Sequence, residues 1–389
     1  MLLHRIEGTT YRRIYRIYGI VRAVTHLGVG AVSTQTGALH LLIADDVETS
    51  MTTNRQWLLH ERPVGMIGPE HFKYVETDIP EPGEGEVLIR NLMFSFDPTQ
   101  RGWTMDRESY LPPVQIGEPM RAGCVAQVVK SNHPDFSAGQ MVQATNGWQD
   151  YAVVDPAHPP SSLRPMPEGA PPEMMLSVLG VTGLTAYFGL LDLGDPQPGE
   201  TVLVSGAAGA TGSVAGQIAK IKGCRVVGIA GGPEKCAWLT EEAGFDHAID
   251  YKQGNLNEQI AAACPEKWNV FFDNVGGDTL EAALNHLNMR SRVVMCGGIA
   301  NYNATTPQPG PTNIMNLVIM RSRMEGFIVL DYLPRAGEAI KDLLGWIGEG
   351  KLKYQIDMQE GFENIPTTLQ RLFTGKNLGK QLLKVADPE

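Results

Sequence analysis

The sequence predicts an α/β fold, in which a doubly wound parallel sheet is combined with a second, mostly β domain. The chain has 389 residues, which is too long for one ordinary hydrophobic core, so two domains are expected. Sixteen of its 26 prolines lie within residues 63–172, between short apolar runs typical of an irregular, barrel-like β domain. From about Leu176 onward, strand-like and helix-like patterns alternate, as they do in a parallel sheet with crossover helices.

The alternating region starts with the β-branched run TVLVS at 201–205, which is typical of a buried strand. After a glycine-rich turn, Val214, Ile218 and Ile221 have the spacing of the apolar face of a helix. RVVGIA is predicted as the next strand, and PEKCAWLTEEAG as a helix with proline near its start. AIDY, VFFDNV, RVVMCGG and MEGFIV follow as strands, with helical patterns between the first four.

The tail from about Tyr354 lacks this alternation, so we expect it to return to the first domain. The predicted domains are therefore a β-rich substrate domain, residues 51–177 with 346–389, and a dinucleotide-binding domain, residues 178–345. Residues 1–50 contain five arginines, no lysine and a single acid before Asp45. We expect them to be a disordered leader, with a targeting role as one alternative, or upstream sequence read from too early a start, since globular sequence begins at Met51.

Net charge and cysteine usage exclude several classes of function. A formal net charge of −11 offers no basic footprint for nucleic acid. The five cysteines are odd in number and lie at least twelve residues apart, which predicts neither a disulfide framework nor a structural zinc. Ala23 to Ala44 carries no formal charge but is interrupted by polar residues, so no membrane span is expected. A cytoplasmic protein fits best.

A glycine motif directly follows the first strand of the alternating region. In SGAAGATGSVAG, Gly206, Gly209 and Gly212 are spaced three residues apart. Glycine allows a tight turn, a close approach of the backbone to a pyrophosphate, and close packing of helix on strand. The following helix N-terminus offers free N–H groups and a positive dipole end. In its position between a strand and a helix, the motif predicts dinucleotide binding, although a turn that serves only packing is the alternative.

The second strand lacks the acid that binds the ribose 2′-hydroxyl of NAD. That position falls at Ala230 to Gly232, where no carboxylate is present to repel a 2′-phosphate. Lys235 follows three residues later, at the start of a helix. A cation without a local acid favours NADPH as the cofactor, although Lys235 taken alone could be an ordinary surface lysine.

Many ordered stretches resemble the zinc-independent branch of the medium-chain dehydrogenase/reductases. Within that branch the resemblance is to NADPH-dependent alkenal/one reductases of the prostaglandin reductase, leukotriene dehydrogenase and curcumin reductase type, and it covers roughly residues 54–385. The matching stretches are SFDPTQRGW, LGVTGLTAYFGL, GAAGATGSVAGQIAKIKG, EK, DYK, FFDNVGG, CGGIANYN, EGFIV, EGFENIP and GKNLGKQLLKV. The resemblance implies a Rossmann domain, a GroES-like β domain, a small-molecule substrate and, by analogy, a homodimer.

The resemblance also implies a set of cofactor-binding residues. Gly209, Ala210, Thr211 and Gly212 would cover the pyrophosphate, Lys235 and Tyr251 the adenosine 2′-phosphate, and Asn274 the region under the ribose. Cys296, Gly297, Gly298, Ile299, Ala300, Asn301, Tyr302, Phe327, Ile328 and Val329 would line the nicotinamide side, with Asn377 reaching in from the tail. Thr99, a candidate substrate contact, stands where several relatives have a substrate-facing tyrosine, so the resemblance does not fix the pocket size or the preferred substrate.

The chemistry follows from which groups are present. The Gly-His-Glu stretch and the lobe of four closely spaced cysteines of zinc-dependent relatives are missing from the sequence, so no metal is expected. Reduction of an activated C=C bond needs only a hydride donor and hydrogen bonds to the enolate, from a tyrosine hydroxyl and the ribose 2′-hydroxyl. Tyr302 is the candidate for that hydroxyl and for the proton donor, with cofactor holding or packing as its alternative roles.

Three functions remain open at this stage. The first is an NADPH-dependent enone or enal reductase, the second an NADPH quinone oxidoreductase, and the third a non-catalytic NADP-binding sensor or structural protein. Cys296 is expected to be a small buried residue under the cofactor rather than a reactive thiol. Asp97 and Arg101 are expected to hold each other or backbone groups.

Overall fold

The computed structural model describes residues 53–157 and 162–389, and its first half is rich in β-strands. The prediction for residues 1–50 lies outside the described residues. The strands of this half are β1 (Thr53–Leu59), β2 (Phe72–Asp78), β3 (Val87–Ser95), β4 (Arg121–Ser131), β5 (Met141–Gly147), β6 (Tyr151–Val154) and β7 (Arg164–Pro165). One short helix, α1 (Thr99–Trp103), connects β3 to the loop before β4.

The second half alternates strands with helices. Two short helices, α2 (Pro172–Met175) and α3 (Val181–Phe188), and a π-helical turn at Gly189–Gly194 lead into it. There follow β8 (Thr201–Ser205), α4 (Ala210–Ile221), β9 (Arg225–Ala230), α5 (Pro233–Glu241), β10 (His247–Asp250), α6 (Leu256–Ala263), β11 (Trp268–Asp273), α7 (Gly277–Leu284), β12 (Leu287–Met295), α8 (Asn316–Met320) and β13 (Arg323–Gly326). The C-terminal part comprises α9 (Ala336–Gly348), β14 (Ile356–Glu360), α10 (Ile365–Phe373) and β15 (Lys380–Lys384).

The parallel sheet has the strand order of a dinucleotide-binding fold. Its six strands are arranged β10-β9-β8-β11-β12-β13 and all pairs are parallel. The order therefore reverses between β8 and β11, which is where such sheets bind ligands, at the carboxyl ends of the strands. The predicted fold class is confirmed.

Strand composition explains why this sheet is buried on both faces. Neighbouring residues point to opposite faces of a strand. Val202 and Val204 of β8 accordingly pack in one apolar core and Leu203 in another, and all three side chains are fully buried. Such continuous β-branched runs, buried on both faces, are what a parallel sheet between two helix layers requires.

The other main sheet collects strands from both ends of the described chain. Its seven strands follow the order β14-β15-β3-β4-β5-β7, and β6 pairs with β3. Strand β15 in the tail pairs antiparallel with β3, Leu382 opposite Ser95. A third apolar core, which includes Phe94, Trp148 and Phe362, fills this half. No helix of the described residues is long and apolar enough to cross a membrane.

Four predicted strands end earlier than expected: AIDY and VFFDNV by one and two residues, and MEGFIV and RVVMCGG by three residues each. The run MEGFIV was expected to be extended throughout, whereas β13 stops at Gly326 and a 3-10 turn begins at Val329. RVVMCGG was expected to include its two glycines, whereas β12 ends at Met295. In these last two cases the pairing stops where the chain enters the crevice at the carboxyl edge of the sheet, so the residues beyond are free to contact a ligand.

Candidate functional site

The glycine turn after β8 is as tight as its sequence requires. Gly206 has φ +57°, a conformation that favours glycine. A Cβ on Gly212 would lie 2.5 Å from the carbonyl oxygen of Gly206, so any side chain there would push helix α4 away from the turn. The two glycines therefore hold the start of the helix against the end of the strand.

The N-terminus of α4 is open toward the crevice. Gly209 is its N-cap residue and no side chain caps the helix. The first backbone bond to close the helical turn is donated by Ser213 to Gly209, at 3.0 Å. The N–H groups of Ala210, Thr211 and Gly212 precede it, which is the arrangement that binds a phosphate at a helix N-terminus.

A loop of the tail lies against this turn. The Gly379 amide donates to the Ala208 carbonyl at 2.9 Å, and the Asn377 side chain donates to the Gly379 carbonyl at 3.1 Å. The loop is also tied to α5, because Lys235 Nζ donates to the Gly375 carbonyl at 2.9 Å. The structure thus brings Asn377 and Lys235 to the same loop, which lies against the glycine turn, although the sequence separates them by 142 positions.

Tyr251 lies beside the glycines that end β9. Its backbone N–H donates to the Ala230 carbonyl at 3.1 Å. A Cβ on Gly231 would lie 2.8 Å from the Tyr251 hydroxyl oxygen, so the ring packs directly over that glycine. The side chain of Tyr251 remains 50% exposed. Steric contact therefore explains why residue 231 is glycine, since a larger residue there would displace the Tyr251 ring.

Two lysines stand close together at the same end of the sheet. Burial lowers the pKa of Lys235, and the neighbouring charge of Lys252 lowers it further. A bound dianion would reverse both influences by favouring the charged amine. Lys252 was not among the predicted site residues, although it directly follows Tyr251 in the sequence.

An acid does lie beside these residues, on a neighbouring strand. The Asp250 carboxylate accepts hydrogen bonds from the backbone N–H of Gly232 at 2.8 Å and of Lys252 at 3.0 Å. The Gly232 hydrogen bond is the main reason why the pKa of Asp250 lies below its usual value. Sequence counting found no acid at positions 230–232, and the structure supplies one from β10 that is already bonded to the backbone.

Asn274 is fixed at the point where the strand order reverses. Its backbone N–H donates to Ser205 Oγ at 2.8 Å, and its side-chain amide donates to the Ser205 carbonyl at 2.7 Å. Ser205 Oγ in turn donates to the buried carboxylate of Asp273 at 2.7 Å. These bonds join the carboxyl ends of β8 and β11, so the floor of the crevice is rigid.

Tyr302 follows the 3-10 turn Ile299–Asn301 and folds back over the glycines that precede it. The Gly298 N–H donates to the Tyr302 hydroxyl at 3.4 Å, and a Cβ on Gly297 would lie 3.4 Å from the same oxygen. Burial raises the pKa of Tyr302 above its ordinary value of 10.0. The phenol is therefore protonated at neutral pH and can donate a hydrogen bond.

Cys296 and Phe327 contribute less to the crevice than their positions suggest. Burial raises the pKa of the Cys296 thiol to about 12, so it is not a thiolate at neutral pH. The Phe327 ring lies against Gly189, where a Cβ would come within 2.4 Å of it, and edge-on to Tyr332. Since this ring points into the core, the backbone of Phe327, Ile328 and Val329 is what the segment can offer a ligand.

Thr99 is the first residue of α1, and its hydroxyl contacts the hydroxyl of Tyr110. Tyr110 is 46% exposed, and both Tyr110 and Arg107 are near enough to Tyr302 to influence its pKa, although less than burial does. The loop after α1 therefore belongs to the same site as Tyr302. Sequence reasoning missed both loop residues, since the stretch between Thr104 and Pro113 has no periodicity and lies far from Tyr302 along the chain.

The expectation that Asp97 and Arg101 hold each other is wrong. Asp97 pairs with the buried Lys380 of β15 and accepts a hydrogen bond from Ser95 Oγ at 2.6 Å. Arg101 instead donates to Asn303 and to backbone carbonyls, which agrees with the second half of that expectation. The acid prefers the lysine because β15 brings that amine next to it.

The predicted residues together follow one edge of the parallel sheet. They run from β10 and β9 through β8 and β11 to β12 and β13, which spans about 24 Å at about 4.8 Å between neighbouring strands. A dinucleotide bound across the carboxyl ends of the strands would contact each group in turn. Within the part of the chain that the structure describes, no three His, Cys, Asp or Glu side chains are grouped so as to hold a metal ion.

Two family models match the chain. The model described as an N-terminal domain of oxidoreductase matches residues 55–160, and the model described as a zinc-binding dehydrogenase matches residues 210–347. These matches cover most of the β-rich half and most of the parallel sheet.

Characterised relatives are similar over most of their length. The chain is 44% identical to the NADPH-dependent curcumin reductase of Escherichia coli, over 86% of this chain and 97% of that protein. It is 38% identical to prostaglandin reductase 1 of Bos taurus, over 86% of this chain and 100% of that protein. The structure of CurA from Vibrio vulnificus in complex with NADPH has a TM-score of 0.81 at 42% identity, covering 86% and 100% of the two chains.

Proposed function

Because the chain belongs to the zinc-independent branch of the medium-chain dehydrogenase/reductases, with the NADPH-dependent alkenal/one reductases, we propose that it reduces the C=C bond of α,β-unsaturated aldehydes and ketones. The chain is an NADP-dependent oxidoreductase. The observation that carries the proposed reaction is the Tyr302 hydroxyl, half-buried, protonated and placed over Gly297 and Gly298.

The residues present fit NADPH. Gly206 has a positive φ and Gly212 has no room for a side chain, and the helix after the turn presents backbone N–H groups without a side-chain cap. The burial of Lys235 and its proximity to Lys252 favour a dianionic group at the other end. Gly209 to Gly212 would hold the pyrophosphate, Lys235 and Tyr251 the 2′-phosphate, and Asn274 with Asn377 the parts between them and the reacting end. When bound, NADPH supplies the hydride that adds to the β-carbon.

The chain's own residues supply the hydrogen bonds and the proton. As negative charge develops on the carbonyl oxygen, the Tyr302 hydroxyl donates a hydrogen bond to it, and this bond is stronger in the transition state than in the ground state. The raised pKa keeps that proton on the phenol until the charge appears. The α-carbon then receives a proton from Tyr302 or from water. Thr99 and Tyr110 carry neutral hydroxyls at the same end, where they would contact the substrate.

The test is an NADPH-oxidation assay over enals, enones, quinones and simple aldehydes, with product analysis. Saturation of the C=C bond with the carbonyl retained is the expected result. Activity confined to simple aldehydes, or turnover of quinones alone, would overturn the proposed reaction. NADPH binding in a fluorescence titration without oxidation by any of these substrates would show that they are not the substrate class.

A homodimer is the second part of the proposal, and an exposed sheet edge supports it. No described strand pairs with the outer side of β13, whose residues are exposed. Beside it, Met315, Val318 and Ile319 are each more than 60% exposed. Such an edge with apolar neighbours is where another strand pairs. A two-fold axis at Met324 would place Arg323 of each copy opposite Glu325 of the other, so the edge complements itself in charge.

Val318→Lys is expected to convert a dimer to a monomer, as measured by light scattering across a range of concentrations. Leu344→Lys is a matched control, since Leu344 is a similarly apolar and 45% exposed residue on α9. A wild-type chain that stays monomeric at high concentration, or a Val318→Lys variant that stays dimeric, would contradict this interface.

We also propose that the protein works in the cytoplasm. All five cysteines are free thiols, and burial raises the pKa of Cys124 and Cys296 to about 12. Cysteines that remain unpaired are typical of a reducing compartment, where disulfides rarely form or persist. Cell fractionation is the test, and recovery of the protein from a secreted or periplasmic fraction would contradict the proposal.

A further inference from the structure

Arg101 is a buried cation that contacts only neutral groups. The residue is 1% exposed. Its guanidinium donates to the Pro63 carbonyl at 3.0 Å, the Gly65 carbonyl at 3.2 Å, Thr104 Oγ1 at 3.3 Å and Asn303 Oδ1 at 2.9 Å. Among the described residues, no carboxylate forms an ion pair with it.

The absence of an acid near Arg101 is reflected in its titration. Burial lowers the pKa of Arg101, and the charge of Arg107 lowers it further. The guanidinium nevertheless stays protonated in a protein, because its ordinary pKa is so high. Burying a charge without a counter-charge is costly, so its hydrogen bonds must be well formed. A planar group with five donors can satisfy four acceptors in fixed directions, which a lysine cannot do.

Asn303 connects this cation to the candidate catalytic tyrosine. It directly follows Tyr302, and its side-chain oxygen accepts from both Arg101 Nε and the Ile67 N–H, at 2.9 and 3.3 Å. Its side-chain nitrogen donates to Met66 Sδ at 3.4 Å. Asn303 is therefore held from two sides by parts of the chain that lie before β2 and in α1. The 3-10 turn before Tyr302 contains only three residues, so a fixed Asn303 restricts the tyrosine as well.

We propose that Arg101 is a positioning residue, which fixes the Tyr302 hydroxyl through its hydrogen bond to Asn303. The proposal rests on the proposed function, in which that hydroxyl stabilises the developing charge. Because Arg101 is 1% exposed, it acts through the loop rather than on substrate or cofactor, and it holds that loop at Asn303. Since a misplacement of about 1 Å can cost about 100-fold in rate, a loose loop would lower kcat while leaving the cofactor site intact.

The test measures kcat at saturating NADPH and enone for Arg101→Met and Asn303→Ala, each alone and combined with Tyr302→Phe. Each single change is expected to lower kcat by about 10-fold or more, with the Kd of NADPH changed by less than about twofold. On the Tyr302→Phe background neither change should lower kcat further, because both act through the lost hydroxyl. Asn303→Asp, which keeps an oxygen facing Arg101, should recover most of the rate that Asn303→Ala loses.

A loss of stability must be distinguished from a loss of positioning, and two further variants, Arg292→Met and Asn303→Ala, do this. Arg292→Met removes a different, partly buried arginine, which bonds Glu200 and the Gly194 carbonyl, and should lower the melting temperature without lowering kcat. If Arg101→Met does not fold, Asn303→Ala decides alone, and an unchanged kcat in that variant overturns the proposal. If Arg101→Met or Asn303→Ala lowers kcat further on the Tyr302→Phe background, the positioning role of Arg101 is overturned, while the catalytic role of Tyr302 is not. A Tyr302→Phe enzyme with wild-type kcat overturns the catalytic role of Tyr302 and this proposal with it.

Discussion

The two ends of the crevice differ in charge and in the way that their residues are held. The end that we propose for the adenosine 2′-phosphate, called the adenosine end (Lys235, Tyr251 and Lys252), carries two cations that influence each other and a half-exposed ring over a glycine. The reaction end (Thr99, Tyr110 and Tyr302) carries neutral hydroxyls, and its central phenol is desolvated. A partly hydrated cation binds a charged ligand already in the ground state. A desolvated hydrogen-bond donor instead stabilises negative charge that develops on the substrate during the reaction. Changes at the first end should therefore alter Kd, and changes at the second should alter kcat.

Among these variants Lys235→Ala should have the largest effect, and the effect should be limited to the Kd of NADPH. The loss of a charged hydrogen bond to a phosphate costs about 1.5–3 kcal/mol, or about 10- to 150-fold in Kd. NADH lacks that phosphate, so its Kd should change little. Isothermal titration with both cofactors measures the difference, and Lys220→Ala is the control, since Lys220 pairs with Asp246. Equal weakening of NADPH and NADH would show that Lys235 serves only the loop at Gly375.

Tyr302→Phe, at the reaction end, should lower kcat and leave the Kd of NADPH almost unchanged. One lost hydrogen bond to the developing charge should lower kcat and kcat/KM together, by about 10- to 100-fold. The Kd of NADPH should change little, because the ring still packs. Tyr187→Phe is the control, since that buried tyrosine bonds Asp342 and should change stability rather than kcat.

The pH profile tests the same tyrosine. Because its pKa is raised above 10.0, the protonated phenol is present throughout the neutral range and is lost only as pH rises beyond that value. Wild-type kcat should therefore show no loss from Tyr302 between pH 6 and 9. A rise in the Kd of NADPH in Tyr302→Phe, with near-normal single-turnover hydride transfer, would instead assign Tyr302 to cofactor binding.

The adenosine end could be predicted from the sequence because its signals are local. TVLVS and RVVGIA match β8 and β9 residue for residue, since buried β-branched runs between turn residues admit few alternatives. The glycine motif and Lys235 follow those strands within a few residues. Two residues were missed there: Lys252, and Asp250, which reaches Gly232 from the next strand of the sheet.

The reaction end could be predicted only in part because its contacts are remote in sequence. Tyr302 was found through the resemblance, whereas no spacing indicates that Tyr110 meets Thr99 or that Arg101 reaches Asn303. The β-rich half has short strands and many prolines, so periodicity is too weak to place its loops. Lys380 pairing with Asp97 depends likewise on β15 returning to β3. The predicted domain boundaries at 177 and 345 stay a prediction.

Tyr110→Phe should have a smaller effect than Tyr302→Phe. Its hydroxyl is at an exposed position, where one hydrogen bond contributes about 0.5–1.5 kcal/mol, or about 2- to 10-fold in kcat/KM. Since that hydroxyl contacts Thr99, Thr99→Val and Tyr110→Phe should not be additive when combined. Steady-state kinetics of the three variants measure this coupling. Full additivity would mean that the two hydroxyls contact the substrate independently.

Lys252→Ala should have the smallest effect at neutral pH, because its side chain is exposed and its influence on Lys235 is felt only at alkaline pH. The variant loses a cation near the 2′-phosphate, which at an exposed position contributes about 0.2–1 kcal/mol, or up to about fivefold in the Kd of NADPH. It also removes the charge that, after burial, lowers the pKa of Lys235, so that pKa rises. Lys235 supports NADPH binding only while it is charged, and this support is lost as pH rises through its pKa. In the wild type that loss should occur below pH 10.5, and in Lys252→Ala at a higher pH. Titrations of NADPH and NADH from pH 7 to 10.5 measure the change in Kd and the pH at which NADPH affinity falls. If that affinity falls at the same pH in the wild type and in Lys252→Ala, Lys252 does not act on Lys235.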